Sequence, residues 1–188
     1  MHALLRAVAV VAAIVVSARA AVAAGEAEPY GIDPDKSKAA FSVQHIFVER
    51  VAGTLPIISG AVMRVPSSVI PESAAAVLDA TKLTTDDADR DASLQSSDFF
   101  DTKKYPTWTF ASTKITPQGA SAFGMDGTLT IHGVSQPEHL NVVVHGDAAH
   151  PVYHAVAHID RHAFGMSVPR LDPTIGGVVD VTLDIVLK

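Results

Sequence analysis

A chain of 188 residues with 48% hydrophobic side chains is one domain's worth of sequence, large enough to bury most of the surface its unfolded form exposes. Its 14 basic and 20 acidic side chains leave a formal charge of −6. That balance argues against nucleic acid, where neutralised phosphates supply much of the affinity, and against permanent residence on anionic headgroups, leaving only transient membrane contact. No cysteine is present, so stability has to come from packing and not from cross-links.

The chain opens on an address. His2 and Arg6 precede an unbroken apolar run from Ala7 to Val16, and two small-residue sites follow, Ala18-Arg19-Ala20 and Ala21-Val22-Ala23. This is the layout of a secretory signal peptide. A membrane anchor would need about 20 apolar residues, and Arg19 cuts the run short. Residues 1–23 are therefore expected to be cleaved, after Ala23 or else after Ala20, and residues 24–188 to form the exported domain. Losing Arg6 and Arg19 leaves 12 basic against 20 acidic side chains, a net −8.

Beyond the leader the dominant rhythm has period two, the mark of strands with one wet face. Alternating runs are expected at Ala39 to Gln44, Ile57 to Val65, Ala74 to Leu83 and Trp108 to Ile115. Others follow at Phe123 to His132, His139 to His145, Tyr153 to Asp160 and Val179 to Lys188. Alanine-rich Pro71 to Ala80 could be read as helix, but its place among strands favours strand. One helix is expected, Asp87 to Ser97, with Asp86 as N-cap and Asp87 and Asp89 at the positive end of its dipole. Breaks fall at Pro117-Gln118-Gly119, His132-Gly133-Val134-Ser135, Gly146-Asp147 and Ile175-Gly176-Gly177. Eight or nine such strands must close on themselves or pack sheet on sheet. An eight-stranded antiparallel barrel can hold a small ligand, whereas a sandwich or a filled structural barrel would not. Small inward residues Gly127, Ala155 and Ala157 favour a barrel with spare room.

The aromatic residues Phe41, Phe99, Phe100, Trp108, Phe110, Phe123 and Phe164 suit either a core or the wall of an apolar pocket. Trp108 and Phe110 share a face, as do Met125, Leu129 and Ile131. Met125 and Met166 can adapt to a flexible tail. His150, His154, His158 and His162 recur every four residues. On a helix that spacing would suggest a metal site, but on a strand residues four apart stand about 13 Å apart. Paired or solvated surface histidines are the expectation, and a periplasmic metal-binding protein is the alternative reading. Arg90 and Asp91 read as helix-end ion pairs, or as headgroup contacts at a channel mouth. His45, His132 and Arg161 carry the same two readings. Ser93, Ser96 and Ser97 lack the glycine context of a nucleophile elbow. No catalytic constellation is visible, and no enzyme activity is expected.

An ordered series of motifs runs through the chain. It comprises Tyr30-Gly-Ile-Asp-Pro-Asp-Lys-Ser, Phe41-Ser-Val-Gln-His45, Arg90-Asp91 to Asp98-Phe99-Phe100-Asp101, Tyr105-Pro106 with Trp108-Thr109-Phe110, Gly127-Thr-Leu-Thr-Ile-His-Gly-Val134, and Ile159-Asp-Arg161 with Phe164-Gly165. The series resembles the YceI-like family of periplasmic polyisoprenoid-binding proteins over nearly the whole exported domain. The resemblance implies an all-β, lipocalin-like antiparallel barrel with one short helix near its end. It implies an apolar channel holding an isoprenoid lipid, quinone-like or polyprenyl, with no other cofactor and no metal. It also implies a carrier or storage protein of the periplasm that can form a homodimer. The channel would be lined by Phe41, Val43, Phe99, Phe100, Trp108, Phe110, Met125, Leu129, Ile131, Phe164 and Met166. One departure is Lys36, where the family often has histidine.

Overall fold

A computed structural model describes residues 25–45, 49–169 and 172–188; the expected leader lies outside them. Ten strands occur among the described residues: β1 Glu28–Gly31, β2 Lys38–His45, β3 Glu49–Leu55, β4 Ile57–Arg64, β5 Ser73–Asp79, β6 Thr107–Pro117, β7 Ala122–Ile131, β8 Val134–His145, β9 Val152–Asp160 and β10 Ile175–Val186. Every pairing is antiparallel.

The ladder order is β1-β4-β5-β6-β7-β8-β9-β10-β2-β3, and its two ends belong together. β10 pairs with β2 and then, past residues 32–37, meets the end of β1. Leu187 bridges Ile32, Lys188 N–H donates to Gly31 O, and Asp33 N–H donates to Val186 O. β2 pairs with β3 while β1 pairs with β4, and only Pro56 separates β3 from β4. So β1 and β2 are one interrupted strand, and β3 and β4 are another. The ten segments make the eight staves of a closed up-and-down barrel, which leaves almost no free edge.

Alternation decides what faces inward. Tyr153, Ala155, Ala157 and Ile159 of β9 are buried, as are Leu140, Val142 and Val144 of β8 and Phe123, Met125, Leu129 and Ile131 of β7. The β7–β8 hairpin turns on His132 and Gly133, at φ 53° and 74°. That is the pair of positive values a two-residue turn of this hand demands.

The alanine-rich segment is strand β5, as its neighbours suggested. The sole α-helix among the described residues, α1, spans Ala88–Gln95. Its N-cap is Asp87, whose carboxylate accepts from Arg90 N–H, one residue later than the sequence suggests. Asp86 instead takes a left-handed φ of 61° and donates its N–H to Thr84 Oγ1. Two aspartates in a row could each cap the helix, and the neighbouring hydroxyl decides between them.

At the α1 end of the barrel, Arg161 is buried in the turn after β9 and donates to Gly176 O, Ile175 O and Met166 O. It also pairs with Asp172 at 2.8 Å. Donation from Ser167 and Arg161 holds the Asp172 carboxyl down at about 2. A carboxyl depressed in the folded state adds stability above its unfolded pKa, and that stability disappears as pH falls through the folded value. Asp172→Asn should therefore be less stable than wild type at pH 6, with the gap closing between about pH 4 and pH 2. Urea midpoints across that range measure it, and a gap independent of pH contradicts the assignment.

Candidate ligand-binding channel

The barrel interior is not filled. One cavity of about 130 Å³ runs towards the end opposite α1, closed by the β4–β5 connection, whose Val69 and Ile70 pack against the core; Ala39, Val62, Ala74, Phe123, Val142, Tyr153 and others wall it. A second, of about 350 Å³, lies beneath α1, walled by Val43, Val51, Leu94, Phe99, Phe100, Met166 and Val179 among others. Phe41, Trp108, Ile131, Ile159 and Val181 belong to both walls, so these five side chains form a waist between the two spaces. Each far exceeds the roughly 10–15 Å³ that one water needs.

Two kinds of residue keep this space open. Alanines at 39, 74, 76, 155 and 157 face inward where larger side chains would meet on the axis. Two phenylalanines are seated against glycines of the neighbouring strand. A Cβ at Gly53 would stand 2.4 Å from Phe41 Cζ, and one at Gly127 would stand 2.2 Å from Phe110 Cζ. The missing side chains let both rings sink into the wall. Near the waist the Phe100 and Trp108 rings pack 4.7 Å apart, tilted by 59°.

α1 has no fully buried residue; Leu94 packs against the core, and polar contacts add to its seating. Asp91 accepts from Thr84 Oγ1 at 2.7 Å, Thr85 N–H at 2.7 Å and Thr85 Oγ1 at 2.6 Å. Burial pushes the Asp91 pKa up, but the donors on Thr85 and Thr84 outweigh it and the carboxyl ends below its ordinary value. Arg90 donates from Nε to Thr85 Oγ1 and from Nη2 to Thr85 O. Thr84 in turn bridges Thr54 of β3. The Arg90-Asp91 pair thus clamps the helix over the barrel mouth, and Arg90 also reaches the wall of the larger cavity.

The YceI-like domain profile matches residues 30–187. The chain belongs to the YceI-like family. Protein YceI of Escherichia coli O157:H7 is 31% identical over 142 residues, 74% of this chain and 72% of that protein. A UPF0312 protein of Vibrio campbellii is 34% identical over 113 residues, and the match spans 60% of that relative's length. Among solved structures, Burkholderia cenocepacia BcnA superposes with a TM-score of 0.75 at 24% identity, covering 84% of this chain and 99% of BcnA. A polyisoprenoid-binding domain from Saccharophagus degradans gives 0.68 at 16% identity, covering 85% and 97%. Both carry the same fold.

In this YceI-like barrel, the sequence-selected residues divide between the two spaces. Phe110, Met125 and Leu129 stand at the inner cavity, Val43, Phe99, Phe100 and Met166 at the outer one, and Phe41, Trp108 and Ile131 at both. Phe164 is fully buried but packs behind the wall, against Leu129, Ile131, Ile159 and Met166. It sits in the 3₁₀ turn Arg161–Phe164 after β9, where strand alternation no longer fixes direction. Tyr153 and Glu138, not selected from sequence, also border the inner cavity. Glu138 is in phase with Leu140 and Val142, so the signal was present. Burial raises its pKa, and the Asp160 charge adds to the rise.

The histidines take a different part. His139, His154 and His158 each stand directly opposite an aspartate on the next strand, with Nδ1 at 2.6 Å from Asp126, 2.8 Å from Asp184 and 2.7 Å from Asp180. His162 meets Asp160 at 3.1 Å. No three histidine, aspartate or glutamate side chains converge on a point among the described residues.

The ring-on-glycine seats give a direct test. Gly127→Ala places a methyl group against Phe110 and the Ala111 carbonyl, so the ring must swing into the lumen. We expect a loss of about 1–3 kcal/mol in urea unfolding, together with weaker uptake of a hydrophobic fluorescent probe. A variant with wild-type stability and uptake contradicts this packing.

Proposed function

We propose that this protein is exported to the periplasm through its N-terminal leader and there carries or stores one isoprenoid lipid, quinone-like or polyprenyl, with the chain lodged in the barrel. The observation that carries the reading is the pair of apolar spaces in the barrel, one beneath α1 and one towards the closed end, with Trp108 in the wall of both. The fold shared with a polyisoprenoid-binding domain supports it. The reading assigns no catalytic step to the chain.

Energetics suit a carrier. Burying one methylene contributes about 0.8 kcal/mol, so a five-carbon isoprene unit gains on the order of 2–3 kcal/mol on leaving water. Several units would pass the practical affinity ceiling near −20 kcal/mol if nothing opposed them. Ordering the tail and losing its free motion offset much of that gain. The lipid's usual alternative is also a bilayer and not water, so the difference governing transfer is small. A small difference lets the protein release what it holds.

Organic extraction of protein purified from its native compartment, followed by mass spectrometry, should recover an isoprenoid lipid in near-stoichiometric amount. Recovery of no lipid overturns the proposal.

A further inference from the structure

The closed end of the barrel gathers hydrogen-bond donors that lack acceptors. Arg64 ends β4 and is only 2% exposed. Its Nη1 donates to the carbonyls of Val65, Pro66 and Ser68, and its guanidinium lies 4.0 Å from the Tyr30 ring centroid. Its Nε has no partner. Among the described residues no carboxylate forms an ion pair with it, although exposed Glu28 stands opposite in register. Tyr153, at the start of β9, is 4% exposed and forms part of the inner cavity wall. Its hydroxyl also lacks a partner.

Buried polar groups are almost always satisfied, and a buried charge without a counter-ion is costly. The three buried side-chain atoms without a partner among the described residues are Arg64 Nε, Tyr153 Oη and Trp108 Nε1. All three can donate, and Tyr153 and Trp108 both border the inner cavity. Burial raises the Tyr153 pKa, with the Arg64 charge pulling the other way, so the phenol keeps its proton at neutral pH. None of these three donors finds an acceptor in the interior, the nearby Glu138 carboxylate included, and a bare hydrocarbon cannot supply one.

We propose that the closed end is a headgroup subsite, in which the Tyr153 hydroxyl, backed by the Arg64 guanidinium, takes an acceptor oxygen of an amphiphile bound head-inward. The acceptor is a carbonyl or a carboxylate oxygen. The Tyr153 ring borders about 130 Å³ of free space; the hydroxyl does not face that space in the empty barrel, and the subsite requires the side chain to turn so that it does. Away from water, such a bond is stronger than one at the barrel mouth. This inference rests on the carrier reading and deepens it by adding a polar requirement.

Tyr153→Phe tests it, because the ring is retained and only the hydroxyl leaves. Arg64 is unsuitable, since it also ties down the 65–68 loop. Three probes of similar chain length separate the sources: dodecanoate, a decyl-substituted benzoquinone and decylbenzene. Wild type should bind the first two more tightly than decylbenzene, and Tyr153→Phe should lose about tenfold of that preference. Its affinity for decylbenzene and its melting temperature without ligand should not fall, because the lost hydroxyl is unsatisfied in the empty barrel. A loss confined to dodecanoate identifies an anionic head, and a loss confined to the quinone a neutral one; either supports the subsite. An unchanged preference overturns it while leaving the carrier reading intact. Failure of all three probes to bind wild type overturns both.

Discussion

An apolar interior left partly empty is unfavourable, and the rest of this structure is organised around that condition. Empty cavity in a protein core costs about 24 cal/mol per Å³. The inner 130 Å³ alone therefore costs roughly 3 kcal/mol when dry, a large share of the 5–15 kcal/mol by which domains are stable. The barrel can carry that load because its wall is closed. Once β1 and β2 are seen as one strand, and β3 and β4 as another, every stave has two neighbours and the backbone is satisfied without help from a packed centre. A ligand that fills the void recovers lost contacts and stabilises the protein by mass action.

The same condition explains where the small residues lie. Alanines on β2, β5 and β9 remove bulk from the axis, and Gly53 and Gly127 let Phe41 and Phe110 recede into the wall. Bulk has been withdrawn from the centre and polar contacts concentrated at the ends. At one end Arg90, Asp91 and Arg161 hold α1 and the turn after β9 in place. At the other, Arg64 gathers the carbonyls of the β4–β5 connection. The histidine–aspartate pairs stay on the outer surface, where they contribute cross-strand contacts.

Much of this was legible in the sequence because period two is a strong signal. The long alternating runs became β6 to β10 with their inward faces as expected, and the eight-stave barrel follows from them. β1 and β3 were missed for a physical reason: β1 has four residues including Pro29 and Gly31, and β3 sets Gly53 where a large apolar residue would have marked the pattern. The one-residue slip at the start of α1 turned on Thr84, a contact no local rule weighs. Phe164 looked like a wall residue by type, but it lies past the end of β9, where periodicity says nothing about direction. Alternation along β9 points Tyr153 inward. What sequence could not disclose is that its hydroxyl finds no acceptor there, because that depends on every strand around it.

The central claim is a lumen that admits a hydrocarbon chain as far as its waist, and the chain's single tryptophan stands at that waist. Titration of delipidated protein with a chain-brominated fatty acid, followed by Trp108 emission, is the most direct measurement. Quenching should be saturable at one ligand per barrel and reversed by an excess of the unbrominated acid. Emission that stays unchanged while the ligand binds elsewhere would contradict it.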